Sequence, residues 1–596
     1  MTNISYQEAQ VQKKLESISF RGPDNLGIKR LNSVLLGHLR LSVIDIDERS
    51  NQPFVIDNLS ITFNGEIYNY KDIRKELIIL GYSFHTESDT EVLLLGYKEW
   101  GSQILDRLNG MFSFCIYDEN SDKIFCARDR IGVKPFFYYW KNGKFEISSQ
   151  LRPLINSSSR ICDKSVSIYL DSGYIPSPHS IIEDVYKLPP GNYLEIDNKT
   201  QTLKIKEYWN LKPVEIKDIT YEDAKDHLHT LLTDAVRIRL QSDVPLGTFL
   251  SGGIDSALVS SIASKISKEQ VNTFTIGFED PNYDESKVAA QYAKIIGTNH
   301  TETICGPNEV LLMLPKLIKV FDEPFSDSSA LPSLLLSSIT KKHVTVSLSG
   351  DGGDESFFGY SYYDLIKKFK KIGFLPYFFR KILSKIKWSK ILGGRPETIK
   401  EIFRSKDSLD LYKRRISGFD TLQLKKDHEW KNSYDKYKKF STSAFQQVAD
   451  LCIKLWLEND SCTKVDRSSM AYSLEIRSPF LDYRIIEFAR TLPVNYRYRN
   501  GIKKKMLKDI LNEYIPEKVF NQPKRGFAIP LHKWIRNDLK KEILSELSDE
   551  FLKKVPNLDV QKFKVKLSDH MDDKYNYHTE IWRVYLLAKW YKEFNF

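Results

Sequence analysis

The sequence has no long apolar run, although 41% of its 596 residues are hydrophobic. A membrane span needs roughly 18–20 consecutive apolar residues, and no stretch approaches that length. The polar first twenty residues lack the apolar core of a secretory signal. The six cysteines are scattered without a CxxC pair, which excludes a disulfide framework or a zinc site of the usual spacing. We therefore expect a cytoplasmic protein with no membrane span.

Acidic residues are absent from residues 365–396, whereas this stretch holds ten lysines and arginines. The whole chain has 88 basic and 78 acidic side chains, so its net charge of +10 equals that of this one stretch. Aromatic residues lie among the basic ones, including Phe374, Tyr377, Phe378, Phe379 and Trp388. An anionic membrane surface or a nucleic acid would fit such a composition. Because Pro376 and glycines 393–394 interrupt any long amphipathic helix, we prefer a solvated helical insertion and expect no nucleic-acid partner.

The length of the chain predicts more than one domain, because single cores seldom exceed roughly 250–300 residues. The first part reads as short alternating strands with a few helices, which is typical of a layered α+β domain. From about Tyr221, helical patterns alternate with apolar strands, which predicts a parallel sheet with crossover helices. After residue 355 the pattern is mostly helical. We predict two domains, residues 1–208 and residues 209–596.

The most informative segment is VPLGTFLSGGIDSALVSSIASKI, residues 244–266. An apolar strand runs into Ser251-Gly252-Gly253-Ile254-Asp255-Ser256 and then into an apolar helix. Glycines allow backbone N–H groups to turn inward, and a helix N-terminus favours an anion. Asp255 would repel phosphate unless it holds a divalent cation. No GK[ST] follows, so the segment is not a Walker A loop, and a Gly-rich turn alone is weak evidence for a nucleotide.

Two later strand ends indicate the same site. The segment FTIGFEDPNYDES, residues 274–286, places Ile276 near the end of a strand, where α/β sheets bind ligands. The segment VSLSGDGGDESFFGY, residues 346–360, repeats the design with Ser349, Gly350 and Asp351 after a strand. By itself the second segment would also fit an acidic loop with helix-capping aspartates. Three converging strand ends favour nucleotide and metal binding.

These residues resemble the asparagine synthetase family of the glutamine-hydrolysing type, and SGGIDS resembles the SGGxDS pyrophosphate loop of ATP pyrophosphatases. The resemblance runs from about Phe20 to past Phe527. Its motifs, in family order, are RGPD (21–24), HLRLSVID (38–45), FNGEIYNY (63–70), SDTEVLL (88–94), RLNGMFSF (107–114), ARDRIGVKPFFY (127–138), KLPPG (187–191), SGGIDS (251–256), SGDGGDE (349–355), KVDRSSMAYSLEIRSPFLD (464–482) and NQPKRGFAIPLHKW (521–534).

The resemblance implies two coupled domains. The first is an α+β Ntn-hydrolase-like domain with an αββα arrangement, which releases ammonia from glutamine. The second is an α/β ATP-pyrophosphatase domain, of the adenine nucleotide alpha-hydrolase-like class, with a helical extension. It would adenylate the aspartate side chain with ATP and Mg²⁺, and ammonia would displace AMP to give asparagine. Expected partners are these small-molecule substrates, and a homodimer stays open as one oligomeric state.

The resemblance also implies site residues. Glutamine binding falls on Arg40, Asn64, Gly65, Glu66 and Asp89, where the Arg40 guanidinium suits a carboxylate. ATP binding falls on Leu250, Ser251, Gly252, Gly253, Asp255, Ser256, Ile276, Ser349 and Gly350. Asp351 and Lys524 take catalytic positions, and Asp255 and Asp351 would hold Mg²⁺. The alternative for Lys524 is a solvated surface lysine. For Glu475 and Arg477, a structural ion pair is preferred over a substrate-pocket role.

The start of the chain departs from the family pattern. The family nucleophile is a cysteine that follows the initiator methionine, and its own α-amino group acts as the base. Here Met1 is followed by Thr2, and the first cysteine is Cys115, inside an apolar strand that predicts a buried core residue. Either the start is truncated or the glutaminase is inactive, and we expect no glutamine hydrolysis by the chain as given.

Two other functions compete with asparagine synthesis. The same adenylation chemistry would serve another carboxylate, such as a sugar uronate, or the cyclisation of a peptide or β-lactam precursor. A catalytically silent scaffold is the third possibility. The intact SGGIDS and SGDGGDE motifs favour an enzyme, namely a carbon–nitrogen ligase that forms AMP and pyrophosphate.

Overall fold

The structure is a computed structural model. It describes residues 7–373, 375–384, 396–417, 422, 430–522 and 529–596. Among these described residues, no helix has the length and apolar character to cross a bilayer.

The N-terminal part is built mainly from antiparallel strands. Its strands are β1 (Asn25–Arg30), β2 (Leu35–Arg40), β3 (Phe54–Ile56), β4 (Leu59–Ile67), β5 (Gly110–Asp118), β6 (Lys123–Arg128), β7 (Phe137–Lys141), β8 (Lys144–Ser148), β9 (Val185–Lys187), β10 (Asn192–Asp197) and β11 (Thr202–Glu207). A six-stranded sheet has the order β11-β10-β6-β5-β4-β3. The remaining strands form the pair β1-β2 and the sheet β8-β7-β9.

Strand β5 lies at the centre of this part and is buried on both faces. Phe112 and Phe114 point into a core that includes residues of the helices over the sheet, whereas Cys115 and Tyr117 join a core shared with β7 and β8. Side chains alternate between the faces of a strand, so one apolar run supplies both cores. Helices, one sheet and further strands are thus stacked in layers. The helices of this part are α1 (Glu8–Glu16), α2 (Tyr70–Ile79), α3 (Asp89–Trp100), α4 (Ile104–Arg107) and α5 (Asp163–Ser172).

The second part contains a parallel sheet of five short strands. They are β12 (Leu246–Phe249), β13 (Asn272–Phe278), β14 (Asn299–Cys305), β15 (Val346–Leu348) and β16 (Glu475–Arg477), in the order β14-β13-β12-β15-β16. All four pairings are parallel. The chain proceeds outward from β12 through β13 to β14 and then returns to the other side of β12 with β15. Strand order therefore reverses between β12 and β15, where open α/β sheets bind ligands. The antiparallel hairpin β17 (Tyr498–Arg499) and β18 (Ile502–Lys503) lies apart from this sheet.

Helices surround this sheet and form most of the rest of the chain. They are α6 (Tyr221–Arg239), α7 (Ile254–Ile266), α8 (Ser286–Ile296), α9 (Pro307–Leu311), α10 (Leu314–Phe321), α11 (Ala330–Thr340), α12 (Gly353–Ser356), α13 (Tyr362–Ile372), α14 (Tyr377–Leu383), α15 (Pro396–Arg404), α16 (Ser408–Ile416), α17 (Ala444–Cys452), α18 (Thr463–Met470), α19 (Tyr483–Thr491), α20 (Val494–Arg497), α21 (Lys505–Leu511), α22 (Glu517–Phe520), α23 (Leu531–Arg536), α24 (Lys540–Glu546), α25 (Asp549–Lys554), α26 (Val560–Met571) and α27 (His578–Phe594). A π-helical segment, Ile453–Cys462, joins α17 to α18.

Buried ion pairs join the two parts of the molecule. Arg21, ahead of β1, donates two hydrogen bonds of 2.8 and 3.0 Å to Asp466 on α18. Arg128, at the end of β6, donates a 2.8 Å hydrogen bond to Glu458 in the π-helical segment. All four side chains are buried. In a buried position, no water can replace a charged partner that is lost. These pairs therefore fix how the two parts meet.

We predict that Arg21→Met lowers the free energy of unfolding by about 3–5 kcal/mol, because Asp466 then keeps a buried charge without its bidentate partner. The matched control is Arg30→Met, which removes a half-exposed arginine 3.6 Å from Glu8 and costs at most about 1 kcal/mol. Guanidinium unfolding followed by fluorescence and circular dichroism measures both. Equal losses in the two variants would contradict a joining role for Arg21.

Candidate active site

The turn that follows β12 is held by its own serines. Ser251 and Ser256 place their hydroxyl oxygens 2.9 Å apart, and the Ser251 N–H donates to the Ser256 hydroxyl at 3.1 Å. The Gly253 N–H donates to the Ser251 hydroxyl, also at 3.1 Å. Gly253 caps α7 without a side-chain hydrogen bond to the first turn. The first N–H groups of α7 therefore keep their capacity to bind an anion.

The turn after β15 packs directly against this helix start. A Cβ atom on Gly350 would come within 2.7 Å of the Ser256 backbone nitrogen, so only glycine allows this approach. The Ser349 hydroxyl donates to the Asp351 carboxylate at 2.7 Å and lies 2.7 Å from the Ser478 hydroxyl. The two predicted ATP-binding turns are thus brought together at the point where strand order reverses.

The remaining predicted ATP residues lie beside these turns. Leu250 is buried, and its N–H donates to the Phe274 carbonyl at 2.9 Å, which joins the end of β12 to β13. Ile276 is buried within β13. Gly252 accepts a 3.2 Å hydrogen bond from the Tyr292 hydroxyl through its carbonyl. Lys524 lies outside the described residues.

Lys504 is a buried cation that the sequence did not single out. It forms ion pairs with Asp255 and with Asp354, the second at 2.6 Å. Its signal in the sequence, the basic run GIKKKMLK at residues 501–508, gives no indication of which lysine is buried. The two carboxylates outweigh the effect of burial and raise the pKa of Lys504 above its usual value. The ammonium thus offsets negative charge at the site where a triphosphate would bind.

Oxygen ligands of the kind that Mg²⁺ prefers are present on Asp255 and Asp351. In the part of the chain that the structure describes, no cluster of three or more His, Cys, Asp or Glu side chains could hold a metal by itself. The donor set therefore fits a cation that shares its ligands with substrate phosphates rather than one held in an all-protein cage.

Glu355, on α12 after the Asp351 turn, is buried and accepts a 2.6 Å hydrogen bond from the Tyr360 hydroxyl. Burial, reinforced by the nearby Asp354 and Asp351, raises the pKa of Glu355 to about 7. Its ionisation therefore opposes folding, since the unfolded carboxyl titrates near 4.5.

A second predicted cluster surrounds a cavity of about 210 Å³ in the N-terminal part. All five predicted glutamine-binding residues line it: Arg40, Asn64, Gly65, Glu66 and Asp89. A Cβ atom on Gly65 would lie 2.1 Å from the Met111 carbonyl oxygen, so β4 and β5 meet here only through glycine. The Asn64 amide donates to the Ser149 hydroxyl at 3.1 Å.

Arg40 organises one wall of this cavity. Its guanidinium donates to the carbonyls of Asp47 and Asp45 at 2.8 and 2.5 Å and to the Asn51 side chain at 2.9 Å. These bonds hold the loop after β2. A carboxylate at Arg40 would approach a guanidinium whose orientation is already fixed by the loop.

Arg477, from the second part of the molecule, pairs with Glu66, and its charge also acts on Asp89. Arg477 is fully buried on β16, lies 3.2 Å from Glu66 and donates a 2.8 Å hydrogen bond to Glu475. The preferred ion pair between Glu475 and Arg477 is therefore present, but it also reaches the predicted glutamine pocket. Burial raises the pKa of Glu66, which Arg477 offsets in part, and burial raises the pKa of Asp89 to about 7.

A second, smaller cavity of about 20 Å³ touches Asp351. Lys134 lines both this cavity and the 210 Å³ cavity. It is buried, with Asp466 and Glu475 at 4.0 and 3.9 Å. Nothing in the motif ARDRIGVKPFFY singles out Lys134. It lies between the two predicted sites.

The six cysteines are free thiols. Cys115 is buried in β5, as predicted, and borders the 210 Å³ cavity. Because it is internal to the chain, it carries no free α-amino group that could act as its base.

Two family models match the chain. Residues 1–209 match the glutamine amidotransferase domain, and residues 227–592 match asparagine synthase. The fold and these matches define a two-domain, amide-forming ligase with an amidotransferase domain. The chain belongs to the asparagine synthase family.

Relatives across the length of the chain agree with this family. Asparagine synthetase [glutamine-hydrolyzing] 1 of Bacillus subtilis is 32% identical, over 98% of this chain and 94% of its own. Putative asparagine synthetase [glutamine-hydrolyzing] 2 of Methanocaldococcus jannaschii is 37% identical, over 66% of this chain and 81% of its own. A more distant relative, amidase chry2 of Gibberella zeae, is 24% identical over 88% of this chain and 85% of its own.

We predict that Glu355→Gln stabilises the protein at pH 8 by about 3 kcal/mol and that this gain shrinks towards zero near pH 4.5. The folded pKa lies above the unfolded one, so the cost of ionising Glu355 grows as the pH rises from about 4.5 to about 7 and is constant above. Guanidinium unfolding at several pH values measures the difference. Glu550→Gln, at an exposed carboxylate on α25, is the control, and a gain independent of pH would contradict the assignment.

Proposed function

We propose that the chain makes asparagine from aspartate, with ATP and Mg²⁺, through a β-aspartyl-AMP intermediate. A carboxylate is a poor electrophile, and AMP gives it a good leaving group. The observation that carries the proposal is the close packing of the Ser251–Ser256 turn against Gly350 where strand order reverses. Family membership and the curated relatives named asparagine synthetase support the same reaction.

In this proposal the turns after β12 and β15 supply different contacts to ATP. The Gly252 and Gly253 backbone and the Ser251 and Ser256 hydroxyls hold the pyrophosphate that leaves, at the N-terminus of α7. Asp255 and Asp351 would hold Mg²⁺ together with the phosphate oxygens, and Lys504 keeps the acidic loops from repelling them. When bound, Mg²⁺ would neutralise charge that develops on the departing pyrophosphate. Lys524 would act at the same phosphates.

Asp351 is the group we place next to the reacting carboxylate. It follows the Ser349 turn, borders the 20 Å³ cavity and is oriented by the Ser349 hydroxyl. Ammonia that reaches this cavity from the side of Lys134 would meet the activated carbonyl without crossing bulk water. The two cavities that share Lys134 support such a route.

Glutamine is the proposed ligand of the larger cavity, with its carboxylate at Arg40 and its α-amino group at Glu66 and Asp89. None of the six cysteines can act as an N-terminal nucleophile, because each is internal to the chain and carries no free α-amino group. Ammonium is the nitrogen source that we propose for the synthetase reaction, in a cytoplasmic enzyme.

A second candidate function keeps the adenylation chemistry and changes the carboxylate. The similarity to amidase chry2, a relative whose name does not mention asparagine, favours including it. The acceptor would then be a different carboxylate, such as a sugar uronate, or a precursor that is cyclised by its own amine.

The deciding experiment follows pyrophosphate and asparagine with ATP, Mg²⁺ and aspartate, in the presence of ammonium or glutamine. We expect both products with ammonium, and the reaction with glutamine shows whether the protein also hydrolyses glutamine. Pyrophosphate with another carboxylate but not with aspartate would overturn aspartate as the substrate. No pyrophosphate under any condition would favour a scaffold.

The variant Asp351→Asn tests the site itself. We expect pyrophosphate formation with aspartate and ammonium to fall by at least about a hundredfold, because a charged group at the reacting centre is lost. Asp364→Asn, on nearby α13, removes an acidic residue that accepts from Tyr498 and pairs with Lys503 outside the site. It should keep nearly full activity. Equal activity of the two variants would contradict the role of Asp351.

A further inference from the structure

Helix α14 exposes a cluster of large apolar side chains. Phe378, Phe379 and Ile382 are 68%, 57% and 50% exposed. Phe378 and Ile382 are four positions apart and therefore share one face of the helix, with Phe379 beside them. Two phenylalanines with most of their surface in water are costly, and an apolar patch of this kind marks an interaction surface.

The opposite face of α14 is fixed to the protein. Arg380 is buried and donates to the carbonyls of Leu375, Ser405 and Lys406 at 3.0, 2.5 and 3.1 Å. Its guanidinium also lies 5.0 Å from the centre of the Phe369 ring. Because Arg380 is two positions from both Phe378 and Ile382, these bonds direct the apolar face outward. The exposed aromatic face therefore belongs to a helix that is hydrogen-bonded to the rest of the protein.

Exposed positive charge lies on α14 and on the preceding helix α13. The exposed lysines of α13 and α14 are Lys367, Lys368, Lys370, Lys371 and Lys381. Within the described part of the chain, none of the five has a carboxylate within 4.0 Å. The segment 365–384 contains no aspartate or glutamate that could offset them. Any partner must therefore be apolar enough for Phe378 and Phe379 and negative enough for the lysines.

We propose that helices α13 and α14 dock the enzyme on an anionic phospholipid surface. Lipid headgroups supply phosphate to the lysines, while the boundary with the acyl chains accepts Phe378, Phe379 and Ile382. A bilayer accepts an exposed helix face without requiring a groove. The proposal goes beyond the solvated helical insertion expected from the sequence, because α14 begins directly after Pro376 and exposes both rings.

The test uses the full chain and two kinds of vesicle, one of phosphatidylcholine alone and one of equal phosphatidylcholine and phosphatidylglycerol. We expect cosedimentation with the second kind only, weakened by added salt. The double variant Phe378→Ser/Phe379→Ser should bind at least about tenfold more weakly, since burial of each ring is lost. The matched control Ile79→Ser/Leu312→Ser changes two side chains that are 84% and 73% exposed elsewhere and should bind like the parent.

Pyrophosphate formation by all variants, which should be unchanged, shows that each is folded, because none of these residues lies in the site. Lys368→Glu/Lys371→Glu should abolish binding to the anionic vesicles while both phenylalanines remain. Binding to neither vesicle, equal binding to both, or unchanged binding by the phenylalanine variant would overturn the proposal. So would sedimentation equilibrium showing that the phenylalanines hold two copies of the chain together, or binding of single-stranded nucleic acid in place of vesicles.

Discussion

The buried guanidinium of Arg477 is the interaction on which the arrangement of both sites depends. It lies on the last strand of the parallel sheet, next to the strand that leads to Ser349 and Asp351. From there it reaches Glu475 in its own strand and Glu66 in the N-terminal part. A charge in a dry interior needs its partners at fixed positions, because no water replaces them. The 210 Å³ cavity and the turns after β12 and β15 are therefore held at fixed positions relative to one another.

Around this contact, several residues line a cavity and also lie in the ion pairs that join the two parts. Lys134 borders the large cavity and the small one, and it neighbours Asp466, which Arg21 also holds. Glu475 lines the large cavity and pairs with Arg477. A change of charge in either cavity therefore changes the electrostatic energy of the groups that join the two parts. In the proposed reaction, these shared groups would link the larger cavity to the site proposed for ATP.

The sequence predicted the order of strand, turn and helix around Ser251 because this pattern is local. A strand, a Gly-rich turn and a helix follow one another between residues 244 and 266, and spacing alone places Ser251 and Ser256 together. Glu66 and Arg477 are far apart in the chain, so no local pattern links them, and only the fold makes them neighbours. Lys504 and Lys134 were missed for a related reason: neither GIKKKMLK nor ARDRIGVKPFFY indicates which of its basic residues becomes buried beside carboxylates. The exposure of Phe378 likewise depends on where Arg380 is anchored.

The most direct measurement is a double-mutant cycle on Glu66→Gln and Arg477→Met, followed by guanidinium unfolding. If Arg477 stabilises Glu66 across the two parts, removal of the arginine leaves a buried carboxylate, and neutralising Glu66 relieves part of that loss. We predict that the double variant is about 1–3 kcal/mol more stable than the sum of the single effects allows. Strictly additive effects would contradict the account, because Arg477 would then hold the two sites together through no contact with Glu66.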